Sequence, residues 1–263
     1  MDPDIVAKIH ERLAAVERDE TVVIPLAVES GSRAWGFPSP DSDYDCRFVY
    51  VRRPEDYLSP WRKRDVIETP LDKIFDVNGW DLAKALQLLL KGNAVIIEWL
   101  RSPIIYRMDE DFAARFLELA REAGNRQRIF SHYLHLGERE RRVYFADRRS
   151  VKRKKVFHAL HPAAALRWLR LRPDSVVPPM NLPEILEGCD VPRDVMAIIE
   201  ALLVEKAVTN ELGEAPLDPT LGAFIDSEFA LAREVWRPAD ATWSPQAQAR
   251  AEAFFLESLK SCW

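Results

Sequence analysis

Asp43 and Asp45 stand two positions apart where a run of β-forming residues, YDCRFVYV, begins. Alternation along a strand points both carboxylates to one side. Two such charges repel and a hydrophobic core cannot offset them, so a pair at a strand entrance is either solvated or gathered around cations. Mg²⁺ suits oxygen ligands of this kind, with Mn²⁺ as its substitute, because it keeps waters and completes its shell with substrate phosphates. Upstream, Gly31 and Ser32 close the apolar run TVVIPLAV and are read as opening a short helix, whose free amides and positive dipole end attract phosphate. Gly31 permits close backbone approach, Ser32 adds a hydroxyl, and Arg33 is a further candidate phosphate contact.

The elements that must position these groups follow from the surrounding pattern. Asp2 caps a first helix with Pro3 at its first position, and Ile5, Ile9, Leu13 and Val16 form its buried stripe. TVVIPLAV and YDCRFVYV read as strands, with a third between Asp65 and Asp76 that Pro70 must enter at an edge or bend, and Gly79 to Lys91 as a helix. From Asn93 onward the periodicity is helical: NAVIIEWL, DEDFAARFLELAREAG, RQRIFSHYLHLGERERRVYF, SVKRKKVFHALHPAAALRWLRLR, RDVMAIIEALLVEKAV and PQAQARAEAFFLESLK. The fold class expected is therefore an α/β (α+β) head, residues 1–108, followed by an α-helical domain, residues 109–263.

The 263 residues, 48% of them hydrophobic, can fill a proper core, and a net charge of −5 excludes a generally basic nucleic-acid binder. Attraction for phosphate must be local. Cys46, Cys189 and Cys262 are far apart, with neither a disulfide framework nor a cysteine-rich zinc site indicated. No signal peptide or membrane-spanning run is apparent, so a cytoplasmic protein is expected.

The segment ESGSRAWGFPSPDSDYDCRFVY resembles the Gly-Ser, then Asp-x-Asp signature of the DNA polymerase β-like nucleotidyltransferase superfamily. Together with DVNGWDLAKALQLLLKGNAVIIEWLRSPIIY, it is similar to a bacterial family of predicted nucleotidyltransferases linked in part to RNA repair. The later KRKKVFHALHPAAALRWLR also resembles that family's helical part, with His161-Pro162 in place of the more usual Arg-Pro. The resemblance implies a mixed sheet in the head, a third carboxylate on a neighbouring strand, and two-metal in-line transfer of a nucleoside monophosphate from an NTP such as ATP to a hydroxyl, with release of pyrophosphate. Asp76 is the choice for that carboxylate, at the end of the third strand; Asp81, just inside the next helix, is its rival. RNA 3′ ends are the favoured acceptor. The competing readings are nucleotidylation of a protein or small molecule, and a catalytically silent nucleotide-binding sensor.

Plainer explanations compete at each position. Asp41, Asp43 and Asp45 open like a calcium loop, but Cys46 and Arg52 stand where that loop needs Gly and Glu. Trp35 and Phe37 are read as packing, Asn93 as an N-cap, and Glu98 as a buried acid that holds a basic partner such as Arg101. Between Arg139 and Lys155 nine Lys or Arg face only Glu140 and Asp147, either a solvated helix face or a wall for triphosphate or RNA. Lys154 and Lys155 are its candidate phosphate contacts, and no histidine is assigned to a metal.

Overall fold

A computed structural model gives the structure of the protein and describes residues 1–70, 74–145, 147, 149–210, 213–237 and 243–263. The first helix, α1 (Pro3–Glu20), is capped by Asp2, whose carboxylate accepts from the Asp4 N–H at 2.9 Å. Its buried Ile9, Leu13 and Val16, with Ile5 half-covered beside them, pack on Val22, Ile24, Phe48, Tyr50 and Val77 of the sheet. Then come β1 (Val22–Ser30), the single turn α2 (Gly31–Ala34), β2 (Tyr44–Arg52), α3 (Pro54–Leu58), β3 (Val66–Glu68) and β4 (Phe75–Asp81). They are followed by α4 (Leu82–Leu90), α5 (Ala94–Leu100), β5 (Ile105–Met108) and α6 (Glu110–Ala123).

The sheet is mixed, in the order β3-β4-β2-β1-β5, with β2 parallel to β4 and the other pairs antiparallel. β1 is a central strand despite Pro25, which falls where the register shifts between Val23 and Leu26; a bulge removes the need for the amide that proline lacks.

Two expectations are corrected here. The segment after Asp65 holds two strands, with Pro70 between them, and Asp76 is the second residue of β4 where the end of a third strand was expected. Gly79 and Trp80 continue β4 and do not begin a helix. The reason is a close approach: Gly79 faces Phe48 across the ladder, and a Cβ there would lie 2.2 Å from the Phe48 ring. Asp81 accordingly ends the strand and caps α4, its carboxylate accepting from the Ala83 N–H at 2.8 Å.

The chain divides into two compact units that do not follow a single cut in sequence: Met1–Gly31, Asp43–Gly124 and Ala241–Trp263 form one, Ser32–Ser42 and Asn125–Asp240 the other. The second contains α7 (Arg126–Tyr144), β6 (Val151–Lys152), α8 (Arg153–Leu171), α9 (Leu182–Glu187), α10 (Arg193–Val208), β7 (Glu214–Ala215) and α11 (Pro219–Val235). α8 is its core helix, buried from Val156 to Leu169 and continuing through Pro162. Gly137 of α7 lets Phe229 of α11 come so near that a Cβ would meet its ring at 2.1 Å. Glu228, 2% exposed, breaks the apolar period of α11 and is held by Arg167 and Arg170 of α8 at 2.6 and 2.8 Å.

The final helix, α12 (Pro245–Cys262), belongs to the first unit: Phe254 sits 5.3 and 5.1 Å from Phe112 and Phe116 of α6, and Arg115–Glu257 and Arg250–Glu122 flank that contact. Among the described residues no helix is long and apolar enough to cross a membrane.

Candidate active site

The sheet brings Asp45, Asp76 and Gly31 together in the first unit. Ser30 is the register partner of Asp45 across β1 and β2, and Asp45 is the partner of Asp76 across the parallel pair β2 and β4. Asp43 immediately precedes β2, close enough for its charge to act on the Asp45 carboxyl. Gly31, just beyond β1, adopts φ +66°, and a Cβ on it would lie 2.2 Å from Asp45 Oδ2. Only glycine brings backbone so near that carboxylate without strain.

Arg47, also on the Asp45 side of β2, ties the two strands. Its Nη1 donates to the carbonyls of Cys46 and Asp76 at 3.1 and 2.7 Å, and its Nη2 donates to Asp45 Oδ1 and Asp76 Oδ2 at 3.0 and 2.6 Å. Asn78 Nδ2 holds the other Asp76 oxygen at 3.0 Å. Burial pushes the Asp45 carboxyl up to about 6; Arg47 opposes that rise, and the charges of Asp43 and Asp76 add to it.

Beneath Asp45 lies Glu29, fully buried, whose Oε1 accepts the Asp45 N–H at 2.9 Å and whose Oε2 accepts the Tyr106 hydroxyl. Glu29, Arg47 and Asn78 are the positioning residues that sequence reasoning passed over. The available signals were an acid at the end of an apolar strand, and a basic and an amide residue each two positions beyond an aspartate.

Asp81 lies on the other face of β4. The strand's burial alternates, with Asp76 and Asn78 half-exposed and Val77, Gly79 and Asp81 buried. Besides capping α4, Asp81 accepts from the Tyr57 hydroxyl at 3.1 to 3.2 Å, and burial raises its pKa. The geometry therefore groups Asp76 with Asp45 and gives Asp81 a structural task.

The donor set suits a hard divalent cation: carboxylate oxygens only, two of them already sharing a guanidinium as a stand-in cation. Among the described residues no three His, Cys, Asp or Glu side chains converge in a metal-holding arrangement. Between Asp45 and Asp76 stands Arg47.

The other candidates belong to the second unit. The Ser32 hydroxyl donates to Ser42 Oγ at 3.0 Å, and Arg33 Nη2 to the Ser42 carbonyl at 2.5 Å, closing the segment from 32 to 42 on itself. Trp35 and Phe37 pack as expected, Trp35 5.2 Å from His161 and Phe37 stacked 4.9 Å from Phe157. Asn93, in the first unit, caps α5 through the Val95 N–H at 2.9 Å, and Glu98 is buried on that helix.

Pairing thins the basic window: Arg141 meets Asp226, Arg153 meets Glu205, and Arg149 lies 3.8 Å from Asp147. Lys155 sits over the Tyr144 ring at 4.6 Å, while Lys154 is exposed at the start of α8. Lys206, 6% exposed over the rings of Phe37 and Phe157, was not foreseen; a lone lysine within an apolar helix was its signal.

A Gly-turn at the end of one strand, set against aspartates on two adjacent parallel strands, is the arrangement expected of a polymerase β-like nucleotidyltransferase head. The chain belongs to the RNA repair pathway DNA polymerase beta family, RlaP, whose family model matches residues 5–257. It is 38% identical over 223 residues to YcgL, an uncharacterized protein of Bacillus subtilis (strain 168), with 84% of each chain covered. Among solved structures it is similar to a nucleotidyltransferase-like protein from Exiguobacterium sibiricum 255-15, at 14% identity and a TM-score of 0.26, over 90% of this chain and 83% of that one.

Proposed function

We infer that the protein transfers a nucleoside monophosphate from an NTP to an acceptor hydroxyl, an RNA 3′ end, releasing pyrophosphate. The observation that carries this reading is the side-by-side register of Asp45 and Asp76 with Gly31 against the Asp45 carboxylate. A bound Mg²⁺ or Mn²⁺ supplies neutralisation of the triphosphate and a lowered pKa for the attacking hydroxyl. Asp43, Asp45 and Asp76 would hold it. Asp76 is the group to take the proton and Gly31 would offer its amide to phosphate, while Ser32, Arg33, Lys154 and Lys155 are the further phosphate contacts proposed from the sequence. The family description supports an RNA acceptor. So does an exposed segment of the first unit, where Trp61, 85% exposed, precedes Arg62, with Lys63 and Arg64 beyond it paired to Asp56 and Glu68. An indole beside cations is a stacking platform for a single-stranded base.

The test incubates the protein with α-labelled NTPs and Mg²⁺ or Mn²⁺, offering RNA with free or periodate-oxidised 3′ ends, lysate protein and aminoglycosides separately. Label in RNA that needs the free 3′ hydroxyl and vanishes in Asp43→Asn/Asp45→Asn supports the reading. Label entering protein or aminoglycoside but never RNA overturns the acceptor. Absence of transfer to every acceptor, with metal-independent NTP binding unchanged in the double variant, overturns the enzyme.

A further inference from the structure

We propose that Arg47 is a built-in counter-cation of the carboxylate site, a positioning residue that makes the site select a metal–nucleotide complex over a bare metal ion. The inference rests on the reading that Asp45 and Asp76 hold the metal. Its ground is the division of labour within one guanidinium. Nη1 is fastened to backbone carbonyls of both strands, Cys46 and Asp76, whereas Nη2 alone spans the Asp45 and Asp76 carboxylates.

A cation seated between those carboxylates takes the oxygens that Nη2 now occupies. The Nη1 bonds do not involve the carboxylate oxygens, so they keep the positive group beside the site after Nη2 has yielded. Arg47 thus acts twice. Before loading, it cancels the repulsion that would drive Asp45 and Asp76 apart and keeps both aimed at one point. During loading, its charge opposes a free divalent ion but attracts one that arrives with an anionic triphosphate, to whose oxygens the released Nη2 can donate.

The same bonds pin the strands themselves. Because Nη1 reaches the Asp76 carbonyl from β2, the register that sets the two carboxylates side by side is reinforced at the site. Lysine supplies the charge but not the fork, and it cannot hold carbonyls and carboxylates together.

The experiment measures Mn²⁺ binding to the full chain by titration calorimetry and electron paramagnetic resonance, with and without a non-hydrolysable NTP analogue. Wild type, Arg47→Gln, Arg47→Lys and Asp45→Asn are compared. Removing the competing cation should tighten bare Mn²⁺ binding in Arg47→Gln by about three- to tenfold, even as nucleotidyl transfer falls. The gain in Mn²⁺ affinity produced by the analogue should shrink by a similar factor. Arg47→Gln without metal should melt below wild type, and Mn²⁺ should raise its melting temperature by more than it raises that of wild type. Arg47→Lys should fall between the two and provides the reading if the glutamine variant does not fold.

Bare Mn²⁺ binding that is unchanged or weaker in Arg47→Gln overturns the inference while leaving the metal reading intact. Mn²⁺ binding that survives Asp45→Asn unchanged overturns the metal reading instead.

Discussion

Gly31→Ala is the substitution whose consequence can be worked most fully from the structure. At φ +66° an alanine pays roughly 1–2 kcal/mol for the left-handed backbone. The new Cβ would also stand 2.2 Å from Asp45 Oδ2 and 3.0 Å from its Cγ, so the carboxylate must retreat by roughly 1.2 Å or more to reach ordinary contact. That movement breaks the 3.0 Å bond from Arg47, worth about 1 kcal/mol after allowing for partial solvent screening. The sum, about 2–3 kcal/mol, should lower the melting temperature by roughly 4–12 °C for a chain of this size. Transfer should fall further than stability, by about 100-fold, because a 1 Å misplacement of a reacting constellation costs about that much. Differential scanning fluorimetry and single-turnover transfer of an α-labelled NTP measure the two effects separately. A variant that melts early but transfers at the wild-type rate would refute the assignment of Asp45; one that neither melts early nor loses transfer would refute the close approach itself.

The two rival aspartates should separate cleanly: Asp76→Asn abolishes transfer with little loss of stability, its amide oxygen still able to accept from Arg47, whereas Asp81→Ala keeps transfer and loses about 1 kcal/mol with its cap, as paired melting and activity assays would show. His158 is held neutral by burial and by the charges of Lys155 and Lys206, its pKa pushed down to about 4, so its 4.0 Å approach to Glu140 is not an ion pair near neutrality. Below its ordinary pKa of 6.5 the unfolded chain binds the extra proton; the stability it contributes is therefore complete above that value and lost as pH falls through 4. Denaturant midpoints in His158→Gln should show a flatter dependence across that window. Trp61→Ala should weaken binding of single-stranded RNA by about tenfold, read by fluorescence anisotropy, with Trp61→Phe recovering most of it.

The parts of this molecule legible in its sequence are those that local chemistry dictates. Asp2 and Asn93 cap helices because a short polar side chain before an apolar run has little else to do. Gly31 and the Asp43, Asp45 pair were visible because strand alternation and a glycine turn are short-range signals. What stayed hidden depends on partners distant in sequence. Gly79 precedes a helical run, and only Phe48, its distant partner across the ladder, fixes it in the strand. Strand β5 carries Ile105 and Met108 exposed, so its alternation does not announce a buried face. α11 was obscured by Glu228, an acid made tolerable only by Arg167 and Arg170 of α8. Arg47 and Glu29 read as ordinary strand residues until the ladder put them against Asp45.

The return of α12 to the first unit has a consequence for the order in which a ribosome delivers this chain. Strands β1, β2 and β4, with the aspartates, emerge early, but the helix that covers Phe112 and Phe116 of α6 is made after the whole second unit. At about 5–20 residues per second, the roughly 120-residue interval leaves that aromatic face bare for about 6–24 seconds, so nascent chains stalled before Pro245 would be captured by hydrophobic-binding chaperones.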